Sequence, residues 1–136
     1  MRRRAARNVY KKYNQPEETW LIEPSRGGGL LLGLVYPSSY SVGMSSLGYQ
    51  LIYRLLAGRR DVLAERLFCE KKIRPVSIES NRPAGDFDIL AFSCSFEADY
   101  INLIRFLRES SLEPLARQRD GTGPLILAGG IAVTAN

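Results

Sequence analysis

Apolar residues in this chain come in short blocks separated by runs of glycine, proline and serine. Residues 30–36, LLLGLVY, are an almost unbroken apolar run, the pattern of a strand buried on both faces of a parallel sheet. Pro37 ends it, and a loop of small residues follows: Ser38, Ser39, Ser41, Gly43, Ser45 and Ser46. From Leu47 the period becomes helical. Leu47, Leu51 and Leu55, with Ile52 and Leu56, recur three and four residues apart, a stripe of the kind a helix turns toward a core. Ser45 or Ser46 is placed to cap the start, and Gly58 sits where a terminal glycine ends a helix.

The second half repeats the theme. Residues 62–68 read as a strand, weakened by Ala64 and Glu65. A crossover between parallel strands normally runs through a helix, but Pro75 leaves no room for a regular one. An irregular connection is expected, with a brief extended piece at 76–78. Residues 87–95, FDILAFSCS, form the clearest strand. A helix over 96–111 follows, with Tyr100, Leu103, Ile104 and Leu107 on one face. Glu97 and Asp99 in its first turn and Arg105 and Arg108 near its end suit the helix macrodipole, and those acids make its N-terminus a poor phosphate site. A polar loop spans 117–123. Residues 125–128 read as a further buried strand, followed by Gly129-Gly130, which lets backbone approach something closely.

The order β-α-β-(loop)-β-α-β predicts an α/β fold, a Rossmann-like doubly wound parallel sheet. Such a sheet normally has a fifth strand and a covering helix, so the expectation is a domain truncated after its fourth strand. One face of residues 125–128 is then expected to lack its covering helix and to leave apolar surface exposed. The organisation reads as an arm and glycine hinge over 1–29 and an incomplete domain over 30–136.

Composition narrows the chemistry. Hydrophobic residues at 45% and charged residues at 24% are those of a globular domain. No apolar run approaches the roughly 20 residues of a membrane span, and no apolar segment follows the basic N-terminus as in a secretory signal, so a cytoplasmic location with no membrane partner is expected. The net charge of +5 is uneven: residues 1–29 hold seven Lys/Arg against three acids, and the remainder is nearly balanced. Arg2, Arg3, Arg4, Arg7, Lys11 and Lys12, interleaved with Tyr10 and Tyr13, make an arm suited to nucleic acid or another acidic partner.

Histidine is absent, which excludes Ser-His and Cys-His nucleophilic pairs, imidazole metal ligands and histidine acid–base catalysis. Cys69 and Cys94 cannot by themselves complete a four-ligand zinc site or hold an iron–sulfur cluster. They read as buried thiols. What remains is a set of small-residue loops after three strands: 38–46, Ser93-Cys94-Ser95 and Gly129-Gly130. In a doubly wound sheet those edges are neighbours and together cradle a flat ligand. A nicotinamide dinucleotide is disfavoured, since Gly43 has no Gly-x-Gly-x-x-Gly context and no acid closes the second strand. A Walker A loop is absent as well.

These residues resemble the cobalamin-binding fold, which carries Asp-x-His-x-x-Gly, Ser-x-Leu/Thr and Gly-Gly after its first, third and fourth strands. Here Ser38-x-Tyr40-x-x-Gly43, Ser93-x-Ser95 and Gly129-Gly130 stand in those places. VYPSSYSVGMSSLGYQLIY, SIESNRP, DFDILAFSCSFEADYINLI and PLILAGGIAVTAN are similar to the N-terminal region of cobalamin-binding radical S-adenosylmethionine proteins, across about residues 30–136. The resemblance implies cobalamin held with no imidazole ligand, because Tyr40 replaces the cobalt-ligating histidine and Ser38 its aspartate partner. It implies Ser38, Tyr40, Gly43, Met44, Ser93, Ser95, Gly129 and Gly130 as cofactor contacts. It also implies a partner barrel downstream, carrying a [4Fe–4S] cluster and S-adenosylmethionine, without which these residues are catalytically inert. The second reading is a degenerate, non-binding scaffold whose basic arm takes nucleic acid or an acidic partner.

Overall fold

The computed structural model describes residues 29–135, so the basic arm and most of the glycine hinge predicted over 1–29 lie outside the described residues. The elements are β1 (Leu30–Tyr36), α1 (Tyr40–Met44), α2 (Leu47–Ala57), β2 (Val62–Phe68), β3 (Ile89–Ser93), α3 (Asp99–Glu109), β4 (Leu125–Gly129) and α4 (Ile131–Ala135). Single 3₁₀ turns lie at Ala84–Asp86 and Ala116–Gln118. The strands form one all-parallel sheet in the order β2-β1-β3-β4. The α/β, Rossmann-like arrangement is therefore as the pattern predicted, with the flavodoxin-like order. The clearest strand is shorter than its apolar run: Phe87 follows a 3₁₀ turn, and Cys94 and Ser95 leave the sheet.

β1 is central and divides two cores. Leu32, Leu34 and Tyr36 join Tyr49, Tyr53 and Phe68 on the side of α1 and α2. Val35 joins Leu67, Leu90, Phe92, Phe106 and Leu107 on the side of α3 and α4. α2 is capped by Ser46, whose hydroxyl accepts from Tyr49 N, and ends at Gly58 with an ordinary right-handed φ of −77°.

Three expectations are corrected. The inward face of α2 is Tyr49, Tyr53 and Ala57, while Leu47, Leu51 and Leu55 are 82%, 57% and 65% exposed. Two apolar stripes share this helix. The tyrosine stripe wins the sheet because Tyr49 fills the gap between Tyr36 and Phe68, at ring separations of 5.3 and 5.5 Å, and donates its hydroxyl to the Leu34 carbonyl. On α3 the inward residues are Phe106 and Leu107, with Tyr100 and Leu103 packed beside them; Ile104 faces out. β4 is not a buried strand: Ile126 packs inward, but Leu125 and Leu127 are 58% and 46% exposed. Leu125 and Leu127 thus leave apolar surface exposed on one face of β4.

The irregular connection from β2 to β3 is a strap over the outer edge of β2. Ile78 N donates to the Arg66 carbonyl at 2.9 Å, and Arg66 N donates to Glu79 Oε2 at 2.7 Å, so backbone groups that an edge strand leaves open are filled. Side chains fix the strap on both faces. Arg66 Nε donates to Glu79 Oε1 at 2.6 Å, and its guanidinium lies 4.6 Å from the Tyr53 ring centroid. Glu65, facing the other way along the strand, accepts from Ser77 Oγ and Ser80 Oγ at 2.5 and 2.7 Å and stands 3.7 Å from Arg82 Nε. Two buried charges of β2 are thus matched by the SIESNRP run.

Candidate functional site

Because all strands run in parallel, the loops leaving β1, β3 and β4 emerge on one edge. Val35 lies opposite Phe92, Phe92 opposite Ala128, and Ser93 opposite Gly129. The chain steps from β1 to β2 in one direction and places β3 in the other, so the switch point lies between β1 and β3, where ligands of open α/β sheets bind. Ser38, Ser93, Ser95 and Gly129 are brought together along this edge.

The loops are tied to one another. Ser38 N donates to Tyr36 O, and Ser38 O accepts from Cys69 N, both at 2.8 Å. Asn102 of α3 reaches across to donate Nδ2 to the Pro37 carbonyl at 2.9 Å. Cys94 N donates to Gly129 O at 2.7 Å, and the Cys94 carbonyl accepts from Ala132 N at 3.3 Å. Asp99, buried at the head of α3, accepts from Ser95 N at 2.8 Å and Phe96 N at 2.9 Å. Its carboxylate therefore satisfies two loop amides just before the helix.

Of the other expected contacts, Tyr40 and Gly43 are buried, Met44 is half-buried and Gly130 is exposed. Tyr40 is buried, its ring edge-on to Phe68 at 5.3 Å, with its amide donating to Glu70 Oε1 at 2.6 Å. A Cβ on Gly43 would lie 2.5 Å from the same Phe68 ring and 3.1 Å from Tyr36 Cβ, so this glycine seats α1 on the sheet. Met44 offers its sulfur to Arg66 Nη1 at 3.5 Å. Gly130 has φ +115°, and a Cβ there would overlap the Cys94 carbonyl oxygen; Gly129 has open space around it. The two adjacent glycines thus have different duties.

Both thiols are held protonated. Burial, followed by the negative charge of Glu109, pushes Cys69 up to about 12, and burial followed by Asp99 pushes Cys94 up. Neither provides a thiolate nucleophile at neutral pH. Sequence reasoning missed Asn102 altogether and read Asp99 only as a first-turn acid. The signal for Asp99 was its position three and four residues after the amides it caps. Sequence reasoning also left Tyr40–Met44 in a loop.

Apolar side chains rim this edge: Val42 on α1, Phe96 after β3 and Ile131 on α4 are 46%, 67% and 73% exposed. A cleft of about 460 Å³, lined by Leu112, Asp120, Gly121, Pro124 and Ile126, lies instead beside the start of β4, at the far end of the sheet. Among the described residues, no helix is long and apolar enough to cross a membrane.

A family model described as "Radical SAM proteins, N-terminal" matches residues 48–136, well over half of the chain. No curated protein and no solved structure matches. The chain belongs to the radical S-adenosylmethionine family, as its N-terminal region.

Proposed function

We propose, taking that family membership as the premise, that these residues present the carboxyl edge of the sheet to a barrel holding a [4Fe–4S] cluster and S-adenosylmethionine. The domain closes one side of the reaction chamber. One observation carries this reading: the loops of β1, β3 and β4 are knitted into a firm platform at the switch point, and that platform is rimmed by exposed Val42, Phe96 and Ile131. An apolar rim around small residues suits docking against another protein surface. The chain's own contribution is positioning and exclusion of water, since its thiols stay protonated and it has no histidine.

The donor set does not fit a cobalt ligand. Imidazole is absent, and the Tyr40 ring is committed to Phe68 in the core. Any cobalamin at this edge would be His-off and would rest on Ser38, Ser93, Ser95 and Gly129. When bound, such a cofactor supplies methyl or electron carriage.

The test uses the radical S-adenosylmethionine protein that carries these residues. Phe96→Asp combined with Ile131→Asp should sharply reduce reductive cleavage of S-adenosylmethionine while leaving the thermal transition of the 136-residue chain in place. Full activity in that double variant, or cleavage by the 136-residue chain alone, would overturn the proposal. A titration of the chain with hydroxocobalamin, followed in the visible spectrum, reports the cofactor separately.

A further inference from the structure

α2 is apolar almost all the way round. Of its eleven residues, LGYQLIYRLLA, only Gln50 and Arg54 are polar apart from the inward tyrosine hydroxyls. A helix of that composition is ordinarily buried on all sides, yet Leu47, Leu51, Ile52 and Leu55 are 82%, 57%, 44% and 65% exposed. At 100° per residue these four, with Gly48, form one continuous stripe pointing away from the sheet. The stripe is distinct from the carboxyl-edge platform.

We propose that this stripe is a self-association surface and that a second copy of the chain covers it, with the two α2 helices antiparallel about a two-fold axis through Leu51. The spacing is self-complementary, as an isologous contact requires. With Leu51 on the axis, Leu47 meets Leu55 of the partner subunit and Leu55 meets the partner's Leu47. Arg54 lies on the flank of the stripe away from Gly48 and Ile52, three residues from the axis, so the two Arg54 charges stand apart along the helices, and the antiparallel helix dipoles oppose favourably.

The area is sufficient. The exposed fractions of the four side chains amount to two and a half whole aliphatic residues per copy. Across two copies, with the rim, that is on the order of 1,000 Å², the lower bound for a specific contact. A reversible dimer in the micromolar range is expected from a contact of this size, with hydrophobic leucines at its centre and few hydrogen bonds.

The experiment is analytical ultracentrifugation of the 136-residue chain over a concentration series. Wild type should show a monomer–dimer equilibrium. Leu51→Glu and Leu51→Lys, at an exposed position, should each weaken it by at least about a hundredfold through like charges facing on the axis, with no loss of the folded circular dichroism spectrum. An equimolar mixture of the two variants should recover the dimer, because Glu then faces Lys. Geometry is read independently by oxidation. Leu51→Cys should cross-link to itself, whereas Leu47→Cys should cross-link only when mixed with Leu55→Cys. A wild-type chain monomeric throughout, a dimer indifferent to both charge variants, or self-linking of Leu47→Cys would each overturn the proposal.

Discussion

Gly129 and Gly130 are adjacent and look alike in the sequence, but replacing each with alanine should give opposite results. At Gly130 the backbone has φ +115°, a conformation that costs an L-residue about 1–3 kcal/mol. The new methyl would also overlap the Cys94 carbonyl oxygen and lie 2.9 Å from its carbon. Those are backbone atoms, so relief requires moving the β3 loop. That shift strains the bonds from Cys94 N to Gly129 O and from Ala132 N to Cys94 O, each worth about 0.5–1.5 kcal/mol. Together the expected loss for Gly130→Ala is about 3–5 kcal/mol, a large part of the 5–15 kcal/mol typical of a domain. At about 4 °C or more per kcal/mol for a domain near 100 residues, the melting transition should fall by at least roughly 10 °C. At Gly129 nothing lies within 4 Å of a Cβ, and alanine should be neutral or slightly stabilising through reduced freedom of the unfolded chain. Thermal and urea unfolding followed by circular dichroism make the comparison. A Gly130→Ala variant melting within a degree or two of wild type would refute the reasoning, as would an equal loss in Gly129→Ala.

Asp99→Ala should destabilise by about 1–2 kcal/mol, the scale of a lost helix-start acceptor, because it orphans the amides of Ser95 and Phe96; Asp99→Asn should recover part of this in the same urea titration. Arg66→Met should cost about 3 kcal/mol or more by leaving the Glu79 carboxylate unpaired, and adding Glu79→Gln to it should restore much of the loss, a double-mutant cycle read from denaturation midpoints. Cys69, pushed up to about 12, ionises far more readily unfolded than folded. Its contribution is therefore complete below about pH 8.5, the ordinary thiol value, and falls as pH rises from there toward about 12, so Cys69→Ser should flatten the alkaline loss of stability measured by urea titration.

Much of the fold was legible because a strand buried on both faces writes itself as a nearly unbroken apolar run, as β1 does; β2 also falls on the predicted bounds, although Glu65 and Arg66 interrupt its run. The face of α2 was not legible. Leu47, Leu51 and Leu55 share a spacing with Tyr49, Tyr53 and Ala57, and periodicity alone cannot say which stripe meets the sheet. That choice depends on where the Leu34 carbonyl stands, fifteen residues from Tyr49. β4 misled for a related reason: an apolar run reports what a strand wants covered, and not whether anything covers it. At the site, the edge position of Ser38, Ser93, Ser95 and Gly129 followed from topology. The commitments of Tyr40, Gly43 and Gly130 did not, since each depends on a contact with a residue distant in the chain, namely Phe68 for the first two and Cys94 for the third.

The strap over β2 leaves the sheet with two unlike flanks. On the β2 flank, Ile78 and Glu79 take the carbonyl and the amide of Arg66 that an edge strand would otherwise offer to another chain. On the β4 flank no described strand pairs beyond Leu125–Gly129. A strand added to this sheet from outside would therefore meet an obstructed ladder at β2 and an open one at β4.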